Sequence, residues 1–194
     1  MPYYLISSIN LGWDKFFIII SNSSDPEPQI LITLLGFIIL YILNNKLEAI
    51  CCTFNIGATG FTNLVLKNTL KMDRPLGIRL TEANGYGFPS GHSSISTAIG
   101  IMLIYFMIKR MKNKKIAYLI SGFIFIYLIL VGISRVYVGV HYPTDVLGGW
   151  FIAGLWSFIS IIAYNYCMKK GVNKFLDKHF TIKLNIFKNK SKSI

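Results

Sequence analysis

The sequence predicts an all-α fold: a polytopic membrane helix bundle of five transmembrane helices plus an N-terminal interfacial helix, or six spans if that first segment also crosses. Three observations predict it. Hydrophobic residues make up 53% of the 194 residues and mean hydropathy is +0.52. Charged residues are only 14%, against roughly a quarter in soluble domains. The net charge of +12 is confined to two stretches: 109–115 (KRMKNKK) carries +5 and 169–194 carries +7. The remaining seven bases and seven acids cancel. So little charge beside so much apolar sequence excludes disorder and speaks against a soluble globule. Clustering of the excess next to apolar runs speaks against a nucleic-acid binder and for cytoplasmic membrane flanks.

Taken in order, residues 3–20 are interrupted by Asn10, Asp14 and Lys15, while Tyr3, Tyr4 and Trp13 suit a headgroup level. This predicts a helix in the interface, ended by Asp25-Pro26-Glu27-Pro28. Spans follow at about 29–45, 49–66, 92–108, 116–133 and 145–167, each near the roughly 17–25 residues a bilayer requires. The second is more polar, with Thr53, Asn55, Thr59, Thr62 and Asn63, residues suited to close helix contact in lipid. Thr53/Gly57, Ser96/Gly100 and Gly149/Ala153 have the small-xxx-small spacing of such contacts. The organisation is therefore 1–28 interfacial or membrane helix, 29–167 transmembrane domain, and 168–194 a basic tail, with the last 20 or so residues loosely ordered.

The two basic segments fall on the same side of an alternating path, which the positive-inside rule makes cytoplasmic. Segments 67–91 and 134–144 then share the outer face. Cys51, Cys52 and Cys167 are too few and badly spaced for a disulfide framework or a zinc site. They read as small buried apolar residues. With no basic region ahead of the first apolar residues, a cleaved signal peptide is not expected.

The chemistry gathers at the outer face. Lys67, Arg74 and Arg135, with His92, His141 and Asp145, are ionisable groups at a lipid boundary, where a charge is costly unless paired or functional. Together they indicate an anion site. Pro89-Ser90-Gly91-His92 precedes an apolar run, so backbone N–H groups at a helix start add to the same field. In Ser134-Arg135-x5-His141-x3-Asp145, Pro143 is a natural first helical residue and places Asp145 in the first turn. A carboxylate on one ring nitrogen of His141 aims the other outward as nucleophile or base. His92 and His141 form a plausible acid and nucleophile pair. Each has a plainer reading: Lys67 and Arg74 as snorkelling cations, His92 as a bundle hydrogen bond, Asp145 as a helix-dipole partner. Lys71, Arg79 and Glu82 read as surface or headgroup contacts, Tyr86 and Phe88 as loop packing, and His179 as a solvated tail residue.

Lys67-x6-Arg74-Pro75, then Pro89-Ser90-Gly91-His92, then Ser134-Arg135-x5-His141-x3-Asp145 resemble, in order and spacing, the three signature motifs of the type 2 phosphatidic acid phosphatase (PAP2) superfamily. The 13 residues between Pro75 and Pro89 leave no room for a large soluble cap. The resemblance implies that Lys67, Arg74, Arg135, Ser90 and the Gly91 and His92 N–H groups hold phosphate oxygens. It implies that His141 attacks phosphorus to give a phosphohistidine, that Asp145 orients it, and that His92 protonates the leaving oxygen and then activates water. Phosphoryl transfer is mostly positioning and charge stabilisation, which fixed cations supply. No acidic cluster suits Mg²⁺, so no metal and no cofactor is expected.

The function so implied is an integral membrane lipid phosphate phosphatase. Small bacterial members of the family act on undecaprenyl diphosphate, phosphatidylglycerophosphate or related lipids. Expected partners are a lipid phosphate substrate and membrane lipids, with no nucleic acid and no identifiable protein partner. Alternatives are a phosphotransferase or lipid A phosphatase on the same site, or a catalytically silent scaffold. The related vanadium haloperoxidases are soluble, which this composition is not.

Overall fold

Why this chain folds as it does follows from an inverted distribution of side chains. The computed structural model describes residues 11–43 and 45–180. Its surface carries Phe61, Phe123 and Phe151, each about two-thirds or more exposed (68%, 65% and 72%). Its interior holds Asn55, Thr59, Asn63, Ser93, Ser94, Ser157 and Ser160. In water this would be an aggregating surface around a polar core. In lipid it is the expected arrangement, since apolar rims face acyl chains and small polar groups bond across helix contacts. Asn55 Nδ2 donates to the Ala98 carbonyl (3.0 Å) and to Ser157 Oγ (3.2 Å), tying three helices.

Seven helices are described: α1 (Leu11–Asn22), α2 (Pro26–Ile42), α3 (Lys46–Leu70), α4 (Gly91–Arg110), α5 (Lys114–Tyr137), α6 (Pro143–Lys169) and α7 (Val172–Phe180). No strand is present among the described residues. Helices α3 to α6 are each long and apolar enough to cross a membrane alone. Helix α2, at 17 residues, reaches that length only together with α1, from which it is bent by 47°. The five expected spans thus correspond to α2–α6. Residues 3–10 of the expected interfacial segment lie outside the described residues.

The helix starts follow their sequences. Pro26 and Pro143 open α2 and α6 at first-turn positions. Asn113 Oδ1 caps α5 by accepting from Lys115 N and Ile116 N. Ser90 caps α4. The basic stretch 109–115 is mostly helix end and helix start, with only 111–113 as connection. Helix α3 ends with Lys71 in the left-handed region (φ 48°). Residues 71–90 then form a loop without regular structure.

The basic tail expected at 168–194 opens with a helix: Gly171 turns the chain at φ 72° and α7 packs back on α3 and α6, while residues 181–194 lie outside the described residues. Val172 and Leu176 join Leu47, Cys51, Met102, Phe106 and Tyr164 in an apolar cluster. The three cysteines are unpaired; Cys51 is buried and the other two are half-buried.

Helix α4 is the hub, packed against α2, α3, α5 and α6. Two of the small-residue pairs sit at its contacts. A Cβ on Gly100 would lie 2.7 Å from Leu128 Cδ1, and one on Gly149 would lie 2.8 Å from the Ser90 carbonyl oxygen. The third differs: Gly57 faces open space. Gly149→Ala should therefore push α6 off the start of α4, costing about 1–3 kcal/mol and lowering Tm in detergent. Gly154→Ala, with nothing within 4 Å, should leave Tm unchanged or raised. Thermal melts of both variants check this.

Candidate active site

The site is built where α3, α4 and α6 present their ends beside the 71–90 loop. Helix α3 delivers Lys67 in its last turn. Lys67 Nζ donates to the carbonyls of Tyr86 (2.6 Å) and Gly87 (3.3 Å), bridging to the far arm of the loop. Arg74, on the near arm, does the same with Nε to Gly85 O, Nη2 to Asn84 O and Nη1 to Val140 O, each at 2.9 Å. The loop closes with Gly87 N donating to Met72 O (2.7 Å). Gly87 approaches closely: a Cβ there would meet Asp73 O at 3.1 Å and Asp145 Oδ2 at 3.3 Å.

Ser90 N donates to the Asp145 carbonyl at 3.0 Å, locking the start of α4 to the start of α6. Asp145 Oδ2 accepts from Tyr142 N (2.9 Å), as a first-turn carboxylate should, and from His141 Nδ1 (3.1 Å). His141 and Asp145 are almost wholly buried, at 3% and 2% exposed.

These contacts fix the tautomer of His141. Arg74 Nη1 lies 3.2 Å from His141 Nε2. A guanidinium only donates, so Nε2 must offer a lone pair, and the ring proton is on Nδ1 facing Asp145. Burial lowers the pKa of His141 to about 2, and Arg74, Arg135 and Lys67 push the same way. Arg74 is itself lowered by burial and by Arg79.

Of the expected residues, Lys67, Arg74, Gly91, His92 and His141 line one cavity of about 510 Å³. Ser90, Arg135 and Asp145 lie behind it. Ser90 is fully buried, and its Oγ accepts from Ser93 N and Ser93 Oγ. Arg135 is 3% exposed and its Nη1 bonds Ser21 Oγ on α1. Its Nε is buried without a partner among the described residues. Arg135 thus faces the histidines through its field rather than across the cavity wall. Lys71, Arg79 and Glu82 do not line this cavity.

Sequence reading misses four neighbours. Asn63 Nδ2 donates to Pro89 O (3.4 Å) and Ser94 Oγ (3.1 Å), steadying the turn into α4. Gln29 Nε2 donates to Ser96 Oγ (2.9 Å) and His92 O (3.4 Å). Ser21 meets Arg135, and Asp25 Oδ1 lies 2.8 Å from His92 Nε2. Asn63 sits four residues before Lys67 on one helix face, a signal the sequence did offer. The other three come from α1 and α2, and no local pattern announces them.

Ser24, Gln29 and Asn63 add polar groups to the wall, and its remaining flank is apolar: Pro26 and Ile30 from α2, Ile56, Gly60 and Leu64 from α3, and Ile95 from α4. Ile30 and Leu64 are more than half exposed on the lipid-facing side. A polar, cationic head therefore continues into an apolar cleft open laterally. Fold and site together define a polytopic helical membrane protein with one cavity in which two histidines and two cations adjoin an apolar cleft.

Residues 48–169 match the PAP2 superfamily, and the chain belongs to it. It is 39% identical over 118 residues to phosphatidylglycerophosphatase B of Bacillus subtilis, covering 59% of this chain and 56% of that protein. It is 36% identical over 76 residues to undecaprenyl-diphosphatase of Sulfolobus acidocaldarius, covering 39% of this chain and 32% of that one. The chain thus spans between a third and about half the length of these curated relatives. The crystal structure of the transmembrane PAP2 type phosphatidylglycerolphosphate phosphatase from Bacillus subtilis superposes with TM-score 0.65 at 29% identity, covering 89% of this chain and 82% of that chain.

The tautomer and pKa of His141 are directly measurable. ¹⁵N-edited NMR of the histidine rings should show His141 neutral, with its proton on Nδ1, at every pH from 5 to 8. The unfolded ring takes up a proton below roughly 6.5 while the folded one does not. Its contribution to stability is therefore present above that pH and lost as pH falls toward 2. Denaturant titrations at descending pH should show this loss, and His141→Gln should reduce it.

Proposed function

We propose that this chain is an integral membrane lipid phosphate phosphatase that works through a phosphohistidine on His141. The observation that carries it is a single cavity joining Lys67, Arg74, His92 and the unprotonated Nε2 of His141 to an apolar cleft between α2, α3 and α4. A phosphorylated lipid suits both halves: a dianionic head for the cations and acyl or isoprenoid chains for the cleft. The names of the relatives support the same class. Phosphatidylglycerophosphate and undecaprenyl diphosphate are the two substrates favoured.

In the proposed reaction the phosphate oxygens replace loop carbonyls on Lys67 and Arg74, with Gly91 and His92 N–H groups and the Arg135 field completing the cradle. His141 Nε2 attacks phosphorus in line. Asp145 holds Nδ1–H and takes up the positive charge that develops on the ring. His92 gives a proton to the departing oxygen. Water then attacks the phosphohistidine, His92 recovers the proton, and phosphate leaves. The cations supply the charge stabilisation, so no step calls for a metal.

Membrane location follows from the helices; sidedness is part of the proposal. The basic segments at 109–115 and beyond 168 would face the cytoplasm, and the 71–90 loop the outside.

Purified protein in detergent with excess EDTA should release phosphate from phosphatidylglycerophosphate or undecaprenyl diphosphate. His141→Ala should lower turnover by about 10⁴-fold or more. Metal dependence, or activity in His141→Ala, would sink the mechanism. Asn84→Cys keeps the carbonyl that Arg74 uses and should react with a membrane-impermeant thiol reagent on intact cells. Reaction only after lysis would invert the topology.

A further inference from the structure

The turn between α1 and α2 enters the site, although it lies outside the 48–169 stretch that defines the family. Asp25 is the N-cap residue of α2, where an aspartate ordinarily turns its carboxylate onto the second or third N–H of its helix. Here it makes no such bond. The sequence says why: Pro26 and Pro28 occupy the first and third helical positions, so the usual third-position donor does not exist. A carboxylate left without its helix is free for another partner. Its Oδ1 lies 2.8 Å from His92 Nε2, and His92 lines the catalytic cavity with 19% of its side chain exposed.

The contact is held from both sides. Gln29, one turn into α2, donates to the His92 carbonyl and to Ser96. Ser24 Oγ donates to Ser21 O (2.8 Å) and so braces the turn that carries Asp25. Among the described residues no protein group bonds His92 Nδ1. The charged and titratable groups facing His92 are Asp25 from the α1–α2 turn, Arg135 from α5, Arg74 from the 71–90 loop and His141 ahead of α6. Asp25 is the one carboxylate acting on it, against two guanidinium groups.

We propose that Asp25 is the positioning residue of the acid–base histidine, holding His92 by Nε2–H so that Nδ1 carries the working proton. This rests on the reading of the site as a phosphatase. The chain then contains two carboxylate–histidine pairs, Asp145–His141 for attack and Asp25–His92 for proton transfer. In the first step the P–O bond breaks as the His141 N–P bond forms, and the Nδ1 proton of the His92 imidazolium passes to the leaving oxygen. In the second, water adds to phosphorus, its proton returns to His92 Nδ1, and the N–P bond breaks. Asp25 keeps its bond to Nε2–H throughout and stabilises the imidazolium.

The test compares wild type, Asp25→Asn, Asp25→Glu and His141→Ala as full-length proteins, on a phosphatidylglycerophosphate and on p-nitrophenyl phosphate. Asp25 has no side-chain role in its own helix, so Asp25→Asn should fold with an unchanged melt. It should lower kcat on the lipid ester by about 10- to 100-fold and move the alkaline limb of the pH profile to lower pH, because the imidazolium loses its anionic neighbour. With p-nitrophenyl phosphate, whose leaving group needs no proton, the burst of nitrophenolate should survive while steady-state turnover falls. Asp25→Glu should restore the limb toward wild type. An unmoved pH limb in Asp25→Asn, or an equal loss of burst and turnover on both esters, overturns the assignment. So does faster turnover, which would make Asp25 a restraint on His92. No phosphate release by wild type from either ester overturns the phosphatase reading itself, and activity in His141→Ala overturns its phosphohistidine step, whereas an active wild type and a silent His141→Ala with an unaffected Asp25→Asn overturn this inference alone.

Discussion

The site depends on the two ends of one residue, Asp145. Its carboxylate Oδ2 accepts from Tyr142 N and His141 Nδ1, and its backbone carbonyl accepts from Ser90 N. The first bond starts α6, the second sets the ring of His141, and the third joins the start of α4 to the start of α6. Helix nucleation, histidine tautomer and the placing of His92 are thereby one constraint. It explains why the contacts around it are so tight. Gly87 passes close to the same carboxylate, and Gly149 lets Ser90 settle on α6. A side chain at either position would displace the residues that carry the proposed chemistry.

The cavity adds a second constraint, of polarity along its length. Its head end is walled by cations and histidines, its flank by Ile30, Ile56, Leu64 and Ile95. A soluble phosphate ester would leave that flank wetted and unfilled, whereas a lipid phosphate fills both. The lateral opening also accounts for the polar, close-packed interior between α3, α4 and α6. Asn55, Asn63 and Ser157 hold those helices by hydrogen bonds, so that α2 alone needs to border the cleft loosely.

Much of this is legible in the sequence, because lipid makes the signals strong. Apolar runs of span length have few alternatives, and ionisable residues stand out where each is costly. Hence α2–α6, Lys67, Arg74, His92, His141 and Asp145 can be read directly. What cannot be read depends on long-range contact. Asp25 and His92 are 67 positions apart, and Ser21 and Arg135 are 114 apart. Asp25-Pro26-Glu27-Pro28 reads correctly as a helix boundary, but its meaning as a carboxylate released from capping emerges only beside His92. Arg135 is legible as a motif cation, yet its position behind the cavity wall is not. Helix α7 is hidden for another reason: Asn173, Lys174, Asp177 and Lys178 make it read as polar tail, whereas Val172 and Leu176 find their partners on the bundle.

The cations at the site also shape the chemistry of the buried His141 they flank. Burial and those cations together favour the neutral ring of His141, whose Nε2 lone pair faces Arg74 Nη1. The same cations would be costly to hold in a membrane-edge pocket if left bare. The loop answers this with carbonyl groups: Asn84, Gly85, Tyr86 and Gly87 accept from Arg74 and Lys67. Neutral oxygens satisfy these donors and are poor competitors for a dianion. Gly85 at φ 69° and the close-packed Gly87 let the backbone turn its oxygens inward without side chains in the way. In the proposed reaction the carbonyls of the 71–90 loop would yield to phosphate oxygens on guanidinium and ammonium groups that the loop already holds in place.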